Sequence, residues 1–126
     1  MTQENKELLL KDLSARLTYG VVYHRNDGAN IKLNEINVDH CRLNYTDDIE
    51  ERECKPYLRS MTSMTEEEHK EFWEVVDNYG SDTNAFDGFE VGDDIDWLNK
   101  NHFDYRDLIK KGLAIEVTKN NNPYKK

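Results

Sequence analysis

Apolar residues recur at helical spacing over residues 2–17. Leu9, Leu10, Leu13 and Leu17 fall on one side, and charged residues fill the gaps. Glu4 and Glu7 lie in the early turns and Lys11 and Arg16 in the later ones, which suits the helix dipole. Tyr19-Gly20 ends the pattern. The period then shortens from helix-like to strand-like. YGVVYH is rich in β-formers, and RNDGAN is a turn with Asp27-Gly28 as its tightest point. Ile31 and Leu33 alternate, as do Ile36 and Val38, with a phase slip at Asn34-Glu35 that predicts a bulge or bend. A second slip falls at Asp39-His40, after which Cys41, Leu43 and Tyr45 alternate. NYTDD is a further turn, and residues 49–54 are expected as a fifth strand. Pro56 closes the region, with PYLRSM as an extended exit. Several short strands with tight turns predict a small, strongly bent barrel of SH3-like size over residues 19–59.

Helical spacing returns after residue 64. Thr65 as N-cap and Glu68 at N3 make a capping box, and Phe72, Val75, Val76 and Tyr79 follow the i, i+3, i+4, i+7 rule. Gly80 is placed to end this helix. Residues 81–94 show no period and read as a loop. A short helix over 95–100 follows, with Trp97 and Leu98 toward the core. In NHFDYRDLIKKGLAIE, Asp104 can cap a helix with Asp107 at N3. Phe103 and Leu108 form a staple, and Lys110 and Lys111 lie in the last turn. Gly112 then falls at C′ and Leu113 at C″, facing Leu108 at C3. Leu113, Ile115 and Val117 alternate as a strand. His102 reads as a linker whose change to alanine alters stability little, and residues 118–126 as a frayed tail. The expected fold is α+β in a single domain over residues 1–126. It comprises an N-terminal helix (1–18), the barrel (19–59), an acidic helical part ending in a strand (65–117) and the tail.

The length of 126 residues suits one domain that needs no covalent staples. Charged residues make up 34% and mean hydropathy is -0.95, but 10% aromatic content and the clear periodicity point to a folded chain. The net charge of -9 is uneven. Residues 66–107 hold 14 acidic and 3 basic residues, whereas residues 108–126 hold 1 acidic and 5 basic. The acidic block repels phosphate backbones and steers basic partners, so nucleic acid is not expected on that face. No secretory leader and no apolar run of membrane-spanning length are read in the sequence, and the two cysteines, Cys41 and Cys54, fit reduced thiols. The expected location is therefore cytoplasmic, with no membrane contact.

Candidate chemistry changes little. His24, His40, Cys41 and Cys54 are zinc-ligand types without the close cysteine spacing of structural zinc. Asp82, Asn84, Asp87, Glu90, Asp93 and Asp94 are oxygen donors, but the EF-hand register fails at Phe86. None of the common hydrolase, nucleotide or metalloprotease fingerprints occurs, and carboxylate pairs are inevitable among 26 acidic residues. No catalytic residue, cofactor or metal is therefore assigned. The expected binding surface combines Tyr23, Tyr45 and Tyr57 on the strands with Glu67, Glu71 and Glu74 on the acidic helix. Core packing is the commoner use of such tyrosines.

Three segments, LLLKDLSARLTYGV, KPYLRSMTSMTEEE and IDWLNKNHFDYRDLIKKGLAIE, resemble a set of short uncharacterised proteins encoded in phages and prophages of gut anaerobic bacteria. They cover somewhat under half of the chain, and residues 81–91 look like an insertion. The resemblance implies a mobile-element origin and a bacterial cytoplasm, and it carries no activity. The expected function is a non-enzymatic protein-interaction module, in a sharper form one whose acidic face imitates nucleic acid in a basic groove. The alternatives are a nucleic-acid-binding module acting through the barrel and a metal-dependent enzyme.

Overall fold

A computed structural model of the chain describes residues 2–78 and 93–124, with side chains for 2–74 and 95–124. The first helix, α1 (Gln3–Arg16), starts where the sequence places it, because the Thr2 hydroxyl accepts from Asn5 N–H. It ends through a short 3-10 turn (Leu17–Tyr19) and the left-handed Gly20, φ 72°. Leu9, Leu10 and Leu13 are buried against the strands.

Among the described residues eight short strands follow: β1 (Val22–His24), β2 (Asn30–Lys32), β3 (Ile36–Asn37), β4 (Arg42–Leu43), β5 (Asp47–Asp48), β6 (Lys55–Ser60), β7 (Phe103–Asp104) and β8 (Ile115–Glu116). They form two open sheets. One has the order β2-β1-β6-β7 with β8 also paired to β6, and the other is β3-β4-β5. The architecture is α+β, and this sheet order does not by itself close the strands into a barrel. The first phase slip marks where the chain leaves one sheet for the other. The Asn44 side chain stitches that bend, accepting from Asn34 and Glu35 N–H and donating to the Lys32 carbonyl. The second slip is the β3–β4 turn, where Cys41 takes φ 53°.

Two expectations about the strands need correction. The strand expected over 49–54 is a turn. The Asp48 carboxylate accepts from Glu50 and Glu51 N–H and offers the backbone a local alternative to pairing. The extended exit is instead the longest strand, β6, which pairs antiparallel with β1 and parallel with β7 and β8. Pro56, Tyr57 and Leu58 are buried in succession along it, so no alternation betrays it. Pro56 stands near the strand start, where proline is tolerated.

The helix α2 (Glu66–Asn78) carries the expected capping box. Thr65 Oγ1 accepts from Glu68 N–H at 3.1 Å, and Glu68 Oε1 accepts from Thr65 N–H at 3.0 Å. The expected stop at Tyr79-Gly80 and the loop after it lie outside the described residues. The helix α3 (Asp93–Lys100) buries Trp97 and Leu98 as expected. Phe72, Trp97, Phe103 and Met64 form a second core beside the main one.

The helix expected over 104–111 is not formed. Phe103 and Asp104 join β6 as β7, and Asp107 adopts φ 59°. The Asp104 carboxylate therefore accepts from Leu108 and Ile109 N–H, both at 2.9 Å, further along the chain than an N-cap reaches. The expected stop does form. Leu113 N–H donates to the Leu108 carbonyl and Gly112 N–H to that of Ile109. Gly112 has φ 75°, and a Cβ added there would meet no atom within 4 Å. Gly112→Ala is thus expected to cost only the left-handed backbone strain, about 1 kcal/mol in denaturant unfolding. Residues 118–124, expected as part of a frayed tail, make side-chain bonds to one another and to the strands. The Asn121 amide accepts from Thr118 and donates to the Glu116 carbonyl, and Tyr124 reaches β1 and β6.

Candidate functional site

Adjacent aromatics on α2 divide its faces. Phe72 turns inward against Trp97, 5.3 Å between ring centroids, and Trp73 turns outward and is 58% exposed. Successive residues of a helix are 100° apart, which here puts the two rings on different faces. Glu66, Lys70 and Trp73 share one exposed row, and Glu67, Glu71 and Glu74 the next. The result is an aromatic ring set among five exposed charges. Glu71 also accepts from Trp97 Nε1–H at 3.0 Å, which ties α2 to α3. The helix start is fixed by Arg59, whose guanidinium meets Glu68 twice at 2.6 Å and lies over the Phe103 ring. That pairing holds the Glu68 carboxyl down at about 2.

The expected surface is brought together only in part. Glu67, Glu71 and Glu74 are exposed on α2 as predicted, and Tyr45 is 73% exposed. Tyr23 and Tyr57 are buried and leave the surface. The Tyr23 hydroxyl donates to Asp47 Oδ2 at 2.5 Å, and Tyr57 Oη donates to Asn30 Oδ1 at 2.9 Å beside His24. Burial and the Asp47 carboxylate push the Tyr23 phenol well above its ordinary range. Arg25 closes the same cluster by meeting Asp47 at 3.2 Å and Asp27 at 2.7 Å. Buried tyrosines packed into a sheet offer no stacking platform for bases.

The remaining buried polar groups hold the fold. Asp12 on α1 receives Arg16 at 2.8 Å and also pairs with Arg106. Arg16 donates further to the Phe103 carbonyl at 2.6 Å, and both guanidiniums flank the Tyr105 ring. Asp12, Asp47 and Asp104 are thereby each committed to bonds within the chain. Among the described residues, no group of three or more His, Cys, Asp or Glu is placed to hold a metal. His24, His40, Cys41 and Cys54 do not converge, and the two cysteines are free thiols. Burial pushes the Cys54 thiol up to about 12. The acidic loop considered for calcium falls outside the described residues apart from the backbone at 93–94. No described helix is long and apolar enough to cross a membrane.

Two residues escaped the sequence reading. Trp73 was legible in principle, because the helical period already assigned Phe72 to the inside. His102 was not. Its left-handed backbone (φ 64°) and its stack on Tyr124, 3.7 Å between centroids and 8° between planes, depend on a residue far along the chain. Burial, with Arg16 and Arg59 nearby, holds its imidazole down at about 4. No family model, curated protein or solved structure matches the chain.

Proposed function

We propose that the protein is a non-enzymatic interaction module of phage or prophage type. In a bacterial cytoplasm it would bind a basic protein partner through the outer face of α2. The supporting observation is Trp73, a large ring left in water beside the acidic row Glu67, Glu71 and Glu74. Tryptophan is over-represented where interfaces concentrate their energy, and surrounding charge steers and selects an oppositely charged partner. In the sharper form the acidic rows stand in for a phosphate backbone and occupy a basic groove. The short bent strands of residues 22–60 would then be an SH3-like scaffold for that helix. The commitment of Asp12, Asp47 and Asp104 to structural bonds favours this reading over an enzyme.

The immobilised protein is expected to retain a basic protein from bacterial lysate at about 50 mM salt and release it at about 500 mM. Trp73→Ala should weaken the purified pair at least about 10-fold, because a central tryptophan carries that much of an interface. A retained set that ignores both salt and Trp73→Ala would overturn the proposal. Micromolar, salt-sensitive binding to oligonucleotides in an anisotropy titration would instead support the nucleic-acid reading.

A further inference from the structure

The β1–β6 ladder pairs Tyr23 with Pro56 and His24 with Lys55. One step further in the same register, Val22 would face Tyr57. The backbones do not meet there. Val22 N–H donates to the Tyr124 hydroxyl at 3.0 Å, and that hydroxyl donates to the Tyr57 carbonyl at 2.8 Å. A side-chain oxygen thus stands where a ladder bond would be. The phenol ring lies flat on His102, whose position is fixed by its left-handed backbone and by Arg59 N–H donating to its carbonyl at 2.7 Å. The ring is delivered by a side-chain-braced loop, in which Asn121 holds Thr118 and the Asn122 side chain accepts from Tyr124 N–H.

We propose that this gap between β1 and β6 is a binding site for a phenol, and that Tyr124 is its ligand, held within the same chain. The site selects by chemistry. One oxygen must accept from Val22 and donate to Tyr57 at once, which a hydroxyl can do and an ether or a hydrocarbon cannot. A flat aromatic ring must then cover His102. Leaving the pair unmade would take the protein partner from a part-buried N–H and a part-buried carbonyl, so an empty site costs stability. The proposal uses none of the residues of the α2 face and stands or falls apart from it.

Chemical complementation of the full chain tests it. Tyr124→Ala is expected to melt about 5 °C or more below the parent protein. At millimolar concentration, p-cresol should raise that melting point by about 3 °C. Equal concentrations of 4-methylanisole or toluene should give less than half the rise, and the parent protein should not respond. An unchanged melting point for Tyr124→Ala, or a p-cresol effect no larger than that of toluene, would overturn the proposal. If Tyr124→Ala fails to fold, Tyr124→Phe keeps the stack and removes only the hydroxyl. Hydrogen exchange at Val22 N–H should then quicken about 10-fold or more, because the donor loses its partner. Unchanged exchange at that amide would count equally against the site.

Discussion

Asp12→Ala is expected to lower the unfolding free energy by about 3–5 kcal/mol, the largest effect of any single substitution considered. The Asp12 and Arg16 side chains have no exposure at all, and Arg106 is nearly as buried. Removing the carboxylate takes from the fully buried Arg16 guanidinium the opposite charge it meets through two hydrogen bonds. The Phe103 carbonyl and the Tyr105 ring compensate only in part. Asp12→Asn keeps the volume but not the charge, so it should recover only a minor share of the loss. Replacing Asp12, Arg16 and Arg106 together by Leu, Met and Met should cost less than Asp12→Ala alone, because the desolvation cost disappears with the charges. Urea unfolding followed by tryptophan fluorescence measures all three. A loss below about 1 kcal/mol for Asp12→Ala would mean that the cluster is hydrated or dispensable.

Acid should destabilise the protein through His102, by about 3 kcal/mol between pH 6.5 and 4. The sign follows from where the proton binds. In the unfolded chain the imidazole titrates near 6.5, and in the folded protein its pKa is about 4, because burial and the Arg16 and Arg59 charges oppose the cation. Between those values the unfolded state takes up a proton that the folded state refuses. Stability is therefore complete above pH 6.5 and falls as pH drops toward 4, with nothing further lost from this group below that. Glu68 acts lower, since its folded carboxyl is held at about 2 against an ordinary 4.5. His102→Asn isolates the effect, because asparagine tolerates the left-handed backbone and does not titrate. That variant should be weaker at neutral pH but nearly flat from pH 6.5 to 4.5 in denaturant unfolding. An equally flat parent protein would show that the imidazole is not shielded.

The same two sites mark what could and could not be read in advance. The sequence placed His102 as a replaceable linker and residues 118–126 as frayed. The structure instead stacks the imidazole on Tyr124 and braces residues 118–124 with asparagine side chains. The sequence set Arg16 only against the helix dipole, although its bonds to Asp12 and to Phe103, 87 positions away, make it a pin between α1 and β7. Of the expected surface, the glutamates were legible because exposure follows from helical phase. Tyr23 and Tyr57 were not, because the face of the three-residue β1 depends on its partner and β6 buries successive residues without alternation.

Sequence alone determined the features closed by near neighbours. These are the Thr2 start of α1, the Thr65–Glu68 box, the Asp27-Gly28 turn and the Gly112–Leu113 stop, each made by bonds spanning a few residues. Their energies are local, so their signals are local. The tertiary structure alone decided that PYLRSM is the central strand and that the helix expected after Asp104 is replaced by β7 and a turn. It also decided that a tyrosine closes the gap between β1 and β6. Each of these outcomes satisfies backbone groups with partners tens of residues away. Such partners leave no period in the sequence, because the choice is made by which distant groups can be paired and covered at once.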